Sequence, residues 1–132
     1  MPTLRDIERL KGVHPMLARA ILNILNKLPM FVVQGVRTAE EQAALYAQGR
    51  TAPGKIVTHK DGLIHKSNHQ PHADGLGHAV DCAWVGSDPF ADSHPWGAYG
   101  ALVEAAGLVW GGRWTTLVDR PHAELPNTAI RA

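Results

Sequence analysis

The chain has 132 residues, of which 45% are hydrophobic and 19% are charged, the composition of a globular protein rather than a disordered one. This length predicts a single domain over residues 1–132 with a core of its own. The formal net charge of +1 gives no electrostatic reason to expect nucleic acid as a partner. The one cysteine, Cys82, excludes an internal disulfide and is expected to be buried and inert. Histidine is the unusual residue type, with eight in the chain and five of them between positions 59 and 78.

The first half of the chain carries patterns that predict two helices and one strand. Hydrophobic residues recur at three- and four-residue spacing over 15–28, which is typical of a helix with one buried face. The β-rich run 31–36 predicts a strand. Thr38 and Glu41 form a capping box that begins a second helix, and Gly49 is expected to end it.

The second half of the chain predicts short strands separated by loops. Residues 50–77 are rich in glycine, histidine and charged side chains and predict a long irregular loop. Strands are predicted over 78–85, 108–110 and 122–125, and a helix over 96–106. Because the connections are too short for βαβ crossovers, we expect the α+β class, with a small antiparallel sheet flanked by helices.

Neither a secretory signal nor a membrane-spanning segment is expected from the sequence. The N-terminal residues mix acidic and basic side chains, and no apolar stretch follows a basic region. The longest apolar zone, residues 16–30, is interrupted by polar side chains and is too short to cross a bilayer.

The histidine-rich part of the long loop leads directly into a predicted strand that contains a carboxylate, Asp81. Imidazole and carboxylate groups together suit a divalent transition metal, most simply zinc. A three-ligand site needs a further ligand from another part of the chain, which His122 can supply. Asp119 lies three residues before His122 and can act as a base towards a water molecule at the metal. A histidine-rich loop that is only solvated surface is the alternative at this point.

Five short motifs occur in a fixed order, and together they resemble one known family. They are GVRTAEEQ at 35–42, GRT at 49–51, SNH at 67–69, GHAVD at 77–81 and DRPH at 119–122. The order is similar to that of the zinc D-Ala-D-Ala carboxypeptidase and L-alanyl-D-glutamate endopeptidase family, peptidase family M15, and to its bacteriophage endolysin branch. The resemblance covers about residues 12–125 and implies an α+β domain of the D-Ala-D-Ala carboxypeptidase and hedgehog-like type.

The resemblance implies a metal site and a base. His69, Asp81 and His122 match the family's three zinc ligands, which implies one zinc ion with an open position for water. Asp119 matches the catalytic base, which accepts the proton of the water and returns it to the leaving amine. The endolysin branch has aspartate at this position, whereas the carboxypeptidases more often have glutamate.

Other side chains receive roles from the same resemblance or from the residues alone. Arg37 matches the arginine that faces the scissile carbonyl oxygen, although an ion pair with an acidic residue at the helix start is an alternative. Ser67 matches a serine on the substrate side of the metal. Glu124 can orient His122 or replace Asp119 as the base. Gln42 is expected on the helix surface, and Trp114 in turn packing.

The spacing between the first two ligands departs from the family pattern. The family usually has six residues between the histidine and the aspartate, whereas eleven separate His69 from Asp81. We interpret residues 71–75 as a loop insertion, because the serine two positions before His69 is kept. His72 remains the alternative first ligand, and His78 is expected to point to the opposite face of the strand from Asp81.

The resemblance implies a peptidoglycan peptidase that hydrolyses the L-Ala–D-Glu bond of the stem peptide and lyses the cell wall. A D,D- or L,D-carboxypeptidase acting on the same stem peptides is one alternative. A non-catalytic zinc-bearing wall-binding module is another, although such a module would not need Asp119. A histidine-metal nuclease is disfavoured by the near-neutral charge.

The resemblance also implies a route to the substrate. Without a signal peptide, the protein would be made in the host cytoplasm and reach the wall from the periplasmic side after release. That release would need a separate holin-like pore-forming partner. We expect a monomer whose only macromolecular substrate is peptidoglycan.

Overall fold

A computed structural model describes residues 1–126 of the protein and confirms the α+β class. These residues form four helices and four strands. In chain order, their bounds are α1 Leu4–Arg9, α2 Pro15–Leu25, β1 Met30–Gln34, α3 Ala39–Ala47, β2 Ala79–Trp84, α4 Trp96–Ala105, β3 Val109–Trp110 and β4 His122–Glu124, with a 3₁₀ turn at Gly111–Arg113. Within the described residues, no helix is both long enough and apolar enough to cross a membrane.

The strands form one antiparallel sheet in the order β1-β2-β4-β3. In the pairing of β2 with β4, Asp81 lies directly opposite His122. The pairing of β1 with β2 shifts register after Val32, so that Gln34 comes opposite Asp81. The two central strands therefore bring residues 41 positions apart in the chain into direct register.

One face of the sheet packs against α2 and α4. Val80, Cys82 and Trp84 alternate along β2 and belong to the hydrophobic core, while Asp81 between them is only partly buried and points to the other face. Cys82 is fully buried, and burial raises the pKa of its thiol to about 12. This agrees with the expectation of an inert thiol. The core is thus separated from the candidate site by the sheet itself.

Helix α1 was not predicted from the sequence. It has only six residues, too few for a hydrophobic period to show, but Thr3 and Asp6 form a capping box at its start. Asp6 is buried and its Oδ1 accepts the backbone N–H of Val32 at 2.8 Å. The helix therefore ties the N-terminus to the edge strand β1.

The observed elements agree with the prediction within a few residues at their ends. The capping box at Thr38 and Glu41 is present, with both reciprocal hydrogen bonds formed. Residues 50–77 contain neither helix nor strand, as expected. The predicted strand at 122–125 is observed as His122–Glu124.

Candidate metal centre

Three side chains from three different segments meet at the polar face of the sheet. Asp81 comes from the middle of β2, His122 from the first position of β4, and His69 from the loop before β2. One ligand atom from each lies within 4.8 Å of the others. His69 Nε2 is 3.3 Å from Asp81 Oδ2, and His122 Nδ1 is 3.2 Å from Asp81 Oδ1. The carboxylate therefore lies between the two imidazole rings.

His69 is held in one orientation by the backbone of a neighbouring loop. Its Nδ1 is 2.8 Å from the carbonyl oxygen of Gly35. Because a carbonyl can only accept a hydrogen bond, Nδ1 donates to Gly35, and Nε2 is the ring nitrogen that faces Asp81. The packing of this loop against α1 requires a glycine, since a Cβ on residue 35 would lie 2.4 Å from the carbonyl oxygen of Arg9.

His122 faces Asp81 with its other ring nitrogen, Nδ1, whereas His69 uses Nε2. Its Nε2 is 2.7 Å from Glu124 Oε1, which leaves Nδ1 facing Asp81. Asn68 Nδ2 donates to the other oxygen of Glu124 at 2.8 Å. Glu124 thus contacts the ring nitrogen that does not face Asp81, in the position of a group that orients a ligand. Trp114 also lies here, with its ring centroid 4.9 Å from that of His122.

The chemistry of the donor set fits a metal ion. Asp81 Oδ1 is buried and has no hydrogen bond of acceptable geometry within the described part of the chain. Burial disfavours the charged form of Asp81, but His69 and His122 outweigh it and hold the pKa well below its usual range. Burial likewise opposes the charged form of His122, yet Asp81 and Glu124 raise the pKa of His122 to about 9. Two imidazole nitrogens and an ionised carboxylate are ligand types that suit zinc.

Asp119 lies at the edge of this cluster. Its Oδ2 is 3.7 Å from His122 Nδ1. Its backbone N–H donates to the carbonyl oxygen of Gly111 at 3.0 Å, which fixes the turn before β4. Burial, followed by the nearby charge of Asp81, raises the pKa of Asp119 above its usual value. A carboxylate with raised proton affinity beside the three ligands has the properties of a general base.

Arg37 contacts the same oxygen of Asp81 as His69 does. Its Nη2 is 3.5 Å from Asp81 Oδ2, and burial lowers the pKa of the guanidinium. Arg37 Nε donates to Gln34 Oε1 at 3.0 Å, and Nη1 donates to Gln42 Oε1 at 2.7 Å. These bonds hold the guanidinium through side chains of β1 and α3, not through the acidic residues at the start of the helix.

The expectation that Gln42 lies on the helix surface is wrong. Its side chain is fully buried, and besides accepting from Arg37 its Nε2 donates to the carbonyl oxygen of Lys60 at 2.8 Å. The long loop after α3 folds over this face of the helix, and hydrophobic periodicity does not reveal such polar burial. Gln42 therefore links Arg37 to the loop.

The remaining histidines of the loop lie apart from the ligand cluster. His72 stacks on His78 with ring centroids 3.8 Å apart, and His78 Nε2 is 2.8 Å from Asp74 Oδ2. His69, not His72, is the loop histidine whose ring meets Asp81. Ser67 Oγ accepts the backbone N–H of His69 at 3.2 Å, so this serine shapes the turn that carries His69.

Gly111 is expected to be required for the geometry of this turn. A Cβ at this position would lie 2.3 Å from the carbonyl oxygen of Asp119 and 3.0 Å from His122 Cβ. Relieving that overlap must move the segment 119–122. Gly111→Ala should therefore lower the free energy of unfolding by about 1–3 kcal/mol and weaken metal binding by about tenfold. Denaturant unfolding and a metal competition titration measure the two effects.

Gly97→Ala is the matched control for this substitution. Gly97 lies near the start of α4, and a Cβ there would meet no atom within 4 Å among the described residues. This variant should leave metal binding unchanged and raise stability by up to about 1 kcal/mol, since alanine favours the helix. Equal metal affinity in the Gly111→Ala variant and the wild type would contradict the role assigned to Gly111.

The site lies in a region that is similar to a known protein family. Residues 64–125 match a family model described as D-alanyl-D-alanine carboxypeptidase. The matched region includes all three residues of the cluster and Asp119. Over these residues the chain is similar to the M15 peptidases, and it is also similar to L-alanyl-D-glutamate endopeptidases.

Two proteins illustrate that homology. The peptidoglycan L-alanyl-D-glutamate endopeptidase CwlK of Bacillus subtilis (strain 168) is 29% identical in an alignment of 105 residues, and the alignment covers 76% of this chain. The aligned region spans 63% of the length of CwlK. The crystal structure of the Serratia marcescens L-Ala D-Glu endopeptidase ChiX has a TM-score of 0.61 and 28% identity, covering 98% of this chain and 92% of that one. The small α+β fold is therefore the fold of ChiX.

Proposed function

We propose that the protein is a zinc-dependent peptidase that hydrolyses the L-Ala–D-Glu bond of the peptidoglycan stem peptide and acts as an endolysin. The observation that carries the proposal is the meeting of His69, Asp81 and His122 within 4.8 Å, with Asp119 beside them. The substrate is supported by the homology to CwlK and ChiX, which are named for this bond. The endolysin role is supported by the resemblance of the motifs to that branch, including the aspartate at 119.

The three ligand side chains and Asp119 divide the chemistry between them. Zinc, when bound by His69, Asp81 and His122, supplies Lewis-acid activation of a water molecule and of the scissile carbonyl. Asp119 accepts the proton of the attacking water and then donates it to the nitrogen of the leaving amine. Its raised pKa suits both halves of this transfer, because the carboxyl group must hold the proton between the two steps.

Arg37 is proposed to stabilise negative charge on the carbonyl oxygen as water adds. Its guanidinium is already fixed by Gln34 and Gln42, so it needs little reorganisation when that charge develops. It lies on the His69 side of Asp81, whereas Asp119 lies on the His122 side. The carbonyl oxygen is therefore proposed to point towards Arg37 and the leaving nitrogen towards Asp119.

Mass spectrometry of the fragments released from purified peptidoglycan, with and without a chelator, tests the function. We expect chelator-sensitive release of peptides with a new N-terminal D-Glu. Release of free D-Ala would instead favour a carboxypeptidase, the activity in the description of the matching family model. No released fragment from zinc-loaded protein would favour a non-catalytic wall-binding module and overturn the proposal.

A further inference from the structure

A cavity of about 290 Å³ adjoins the candidate site on the Asp119 side. Asp119 forms part of its wall and also lies 3.7 Å from His122, so this residue stands between the cavity and the ligand cluster. Phe90 and Val118 contribute apolar wall, and both side chains are more than half exposed. Arg120 brings a positive charge into the same wall. The site therefore continues beyond Asp119 into a space whose wall combines apolar contact with one cation, Arg120, and a second carboxylate, Asp92.

The guanidinium of Arg120 is held in place but remains available to a ligand. Its Nη1 donates to Asp92 Oδ1 at 2.9 Å, and the side chain of Asp92 is 96% exposed. Exposed ion pairs of this kind are weak, so another carboxylate can replace Asp92 without a large cost. The backbone beneath is fixed, because Trp110 Nε1 donates to the carbonyl oxygen of Arg120 at 2.8 Å.

The direction of the proposed substrate decides which group reaches this cavity. Asp119 returns the proton to the leaving nitrogen, so the half of the substrate that carries that nitrogen lies beside Asp119. In an L-Ala–D-Glu bond the nitrogen belongs to D-Glu. A glutamate residue has two carboxyl groups, and continuing the peptide uses only one of them. One free carboxylate therefore lies close to the leaving nitrogen.

We propose that Arg120 binds the free carboxylate of the D-Glu residue, with the exposed apolar surface of Phe90 and Val118 packing against the peptide that follows. This proposal rests on the proposed function and adds the residue that selects an acidic group after the cleaved bond. In the free protein Asp92 forms an ion pair with the guanidinium, and the carboxylate of the substrate replaces Asp92 when it binds. Planar guanidinium and carboxylate groups form paired hydrogen bonds, which would give both affinity and orientation.

Two synthetic peptides test the proposal, identical except that the free D-Glu carboxylate is a carboxamide in the second. We expect the wild type to prefer the carboxylate peptide by about tenfold in kcat/KM. Arg120→Gln should remove this preference by raising KM for the carboxylate peptide, with kcat and the amide peptide little changed. Asp92→Asn, which removes the competing carboxylate, should lower KM for the carboxylate peptide.

Arg113→Gln is the matched control, because Arg113 also forms an exposed ion pair, with Glu104 at 3.0 Å. It should leave both peptides unaffected. Binding of the product peptide with a free N-terminal D-Glu, measured by calorimetry, gives a readout that is independent of turnover. Product binding that is weaker in Arg120→Gln but unchanged in Arg113→Gln supports the proposal. Equal product binding by Arg120→Gln and the wild type overturns the proposal, and so does an equal loss of kcat/KM for both substrate peptides. In either case, cleavage by the wild type leaves the proposed function standing. Product binding without any cleavage would overturn the proposed function instead.

Discussion

Asp119→Ala is expected to lower kcat for peptide cleavage by roughly 100- to 10,000-fold, the usual loss when a general acid–base group is removed. Its carboxylate lies 3.7 Å from His122 Nδ1 and is outside the group of three converging ligand atoms. The zinc content should therefore stay near one ion per chain. Steady-state cleavage of an L-Ala–D-Glu peptide, together with metal analysis of the same protein sample, measures both quantities.

Glu124→Gln separates the two carboxylates that the sequence leaves as candidates for the base. Glu124 contacts His122 Nε2 and Asn68 Nδ2, so its replacement should weaken zinc binding by roughly 10- to 100-fold, with kcat of the zinc-saturated protein little changed. Asp119→Ala should instead lower kcat and leave zinc binding little changed. Wild-type turnover in the Asp119→Ala variant, with loss in Glu124→Gln, would assign the base to Glu124 and contradict the mechanism proposed above.

The strand pattern predicted much of what positions this site. Alternation along 78–85 places Asp81 on the face opposite Val80 and Cys82, and the structure shows this division. The short predicted strand at 122–125 gave the partner for that segment. Both signals are local, since period-two burial depends only on near neighbours in the chain.

The contacts that orient the ligands could not be predicted in this way. Asn68 and Glu124 are 56 positions apart, and His69 bonds to the backbone of Gly35, 34 positions earlier. Such pairings depend on how a loop without repetitive structure folds back over the sheet, which periodicity does not encode. The burial of Gln42 went undetected for the same reason, because its partner is a loop carbonyl. Gly35 and Gln42 begin and end the motif GVRTAEEQ, and their place in that motif was the available sequence signal for these contacts.

His69→Ala is expected to lower zinc affinity by more than about 100-fold, beyond the range seen when only a supporting residue is lost. The substitution removes one of three converging ligand atoms, and the bond to Gly35 disappears with it. Competition with a chromophoric chelator measures the affinity. Because His69 is 2% exposed, near-ultraviolet circular dichroism of the variant must show a folded protein. Removing zinc from the wild type by dialysis against a chelator, and restoring it, gives the same test without a substitution.

His72→Ala is the matched control, since it removes the same side chain three positions further along the same loop. His72 stacks on His78, and its pKa is lowered by burial and then by that neighbour, while no contact joins it to Asp81 in the described structure. Zinc affinity should therefore remain within about twofold of wild type, a difference of less than half a kcal/mol. A large loss in His72→Ala with retention in His69→Ala would transfer the first ligand to His72. In that case residues 71–75 could not be an insertion after the first ligand, and the loop would have to rearrange to bring His72 to Asp81.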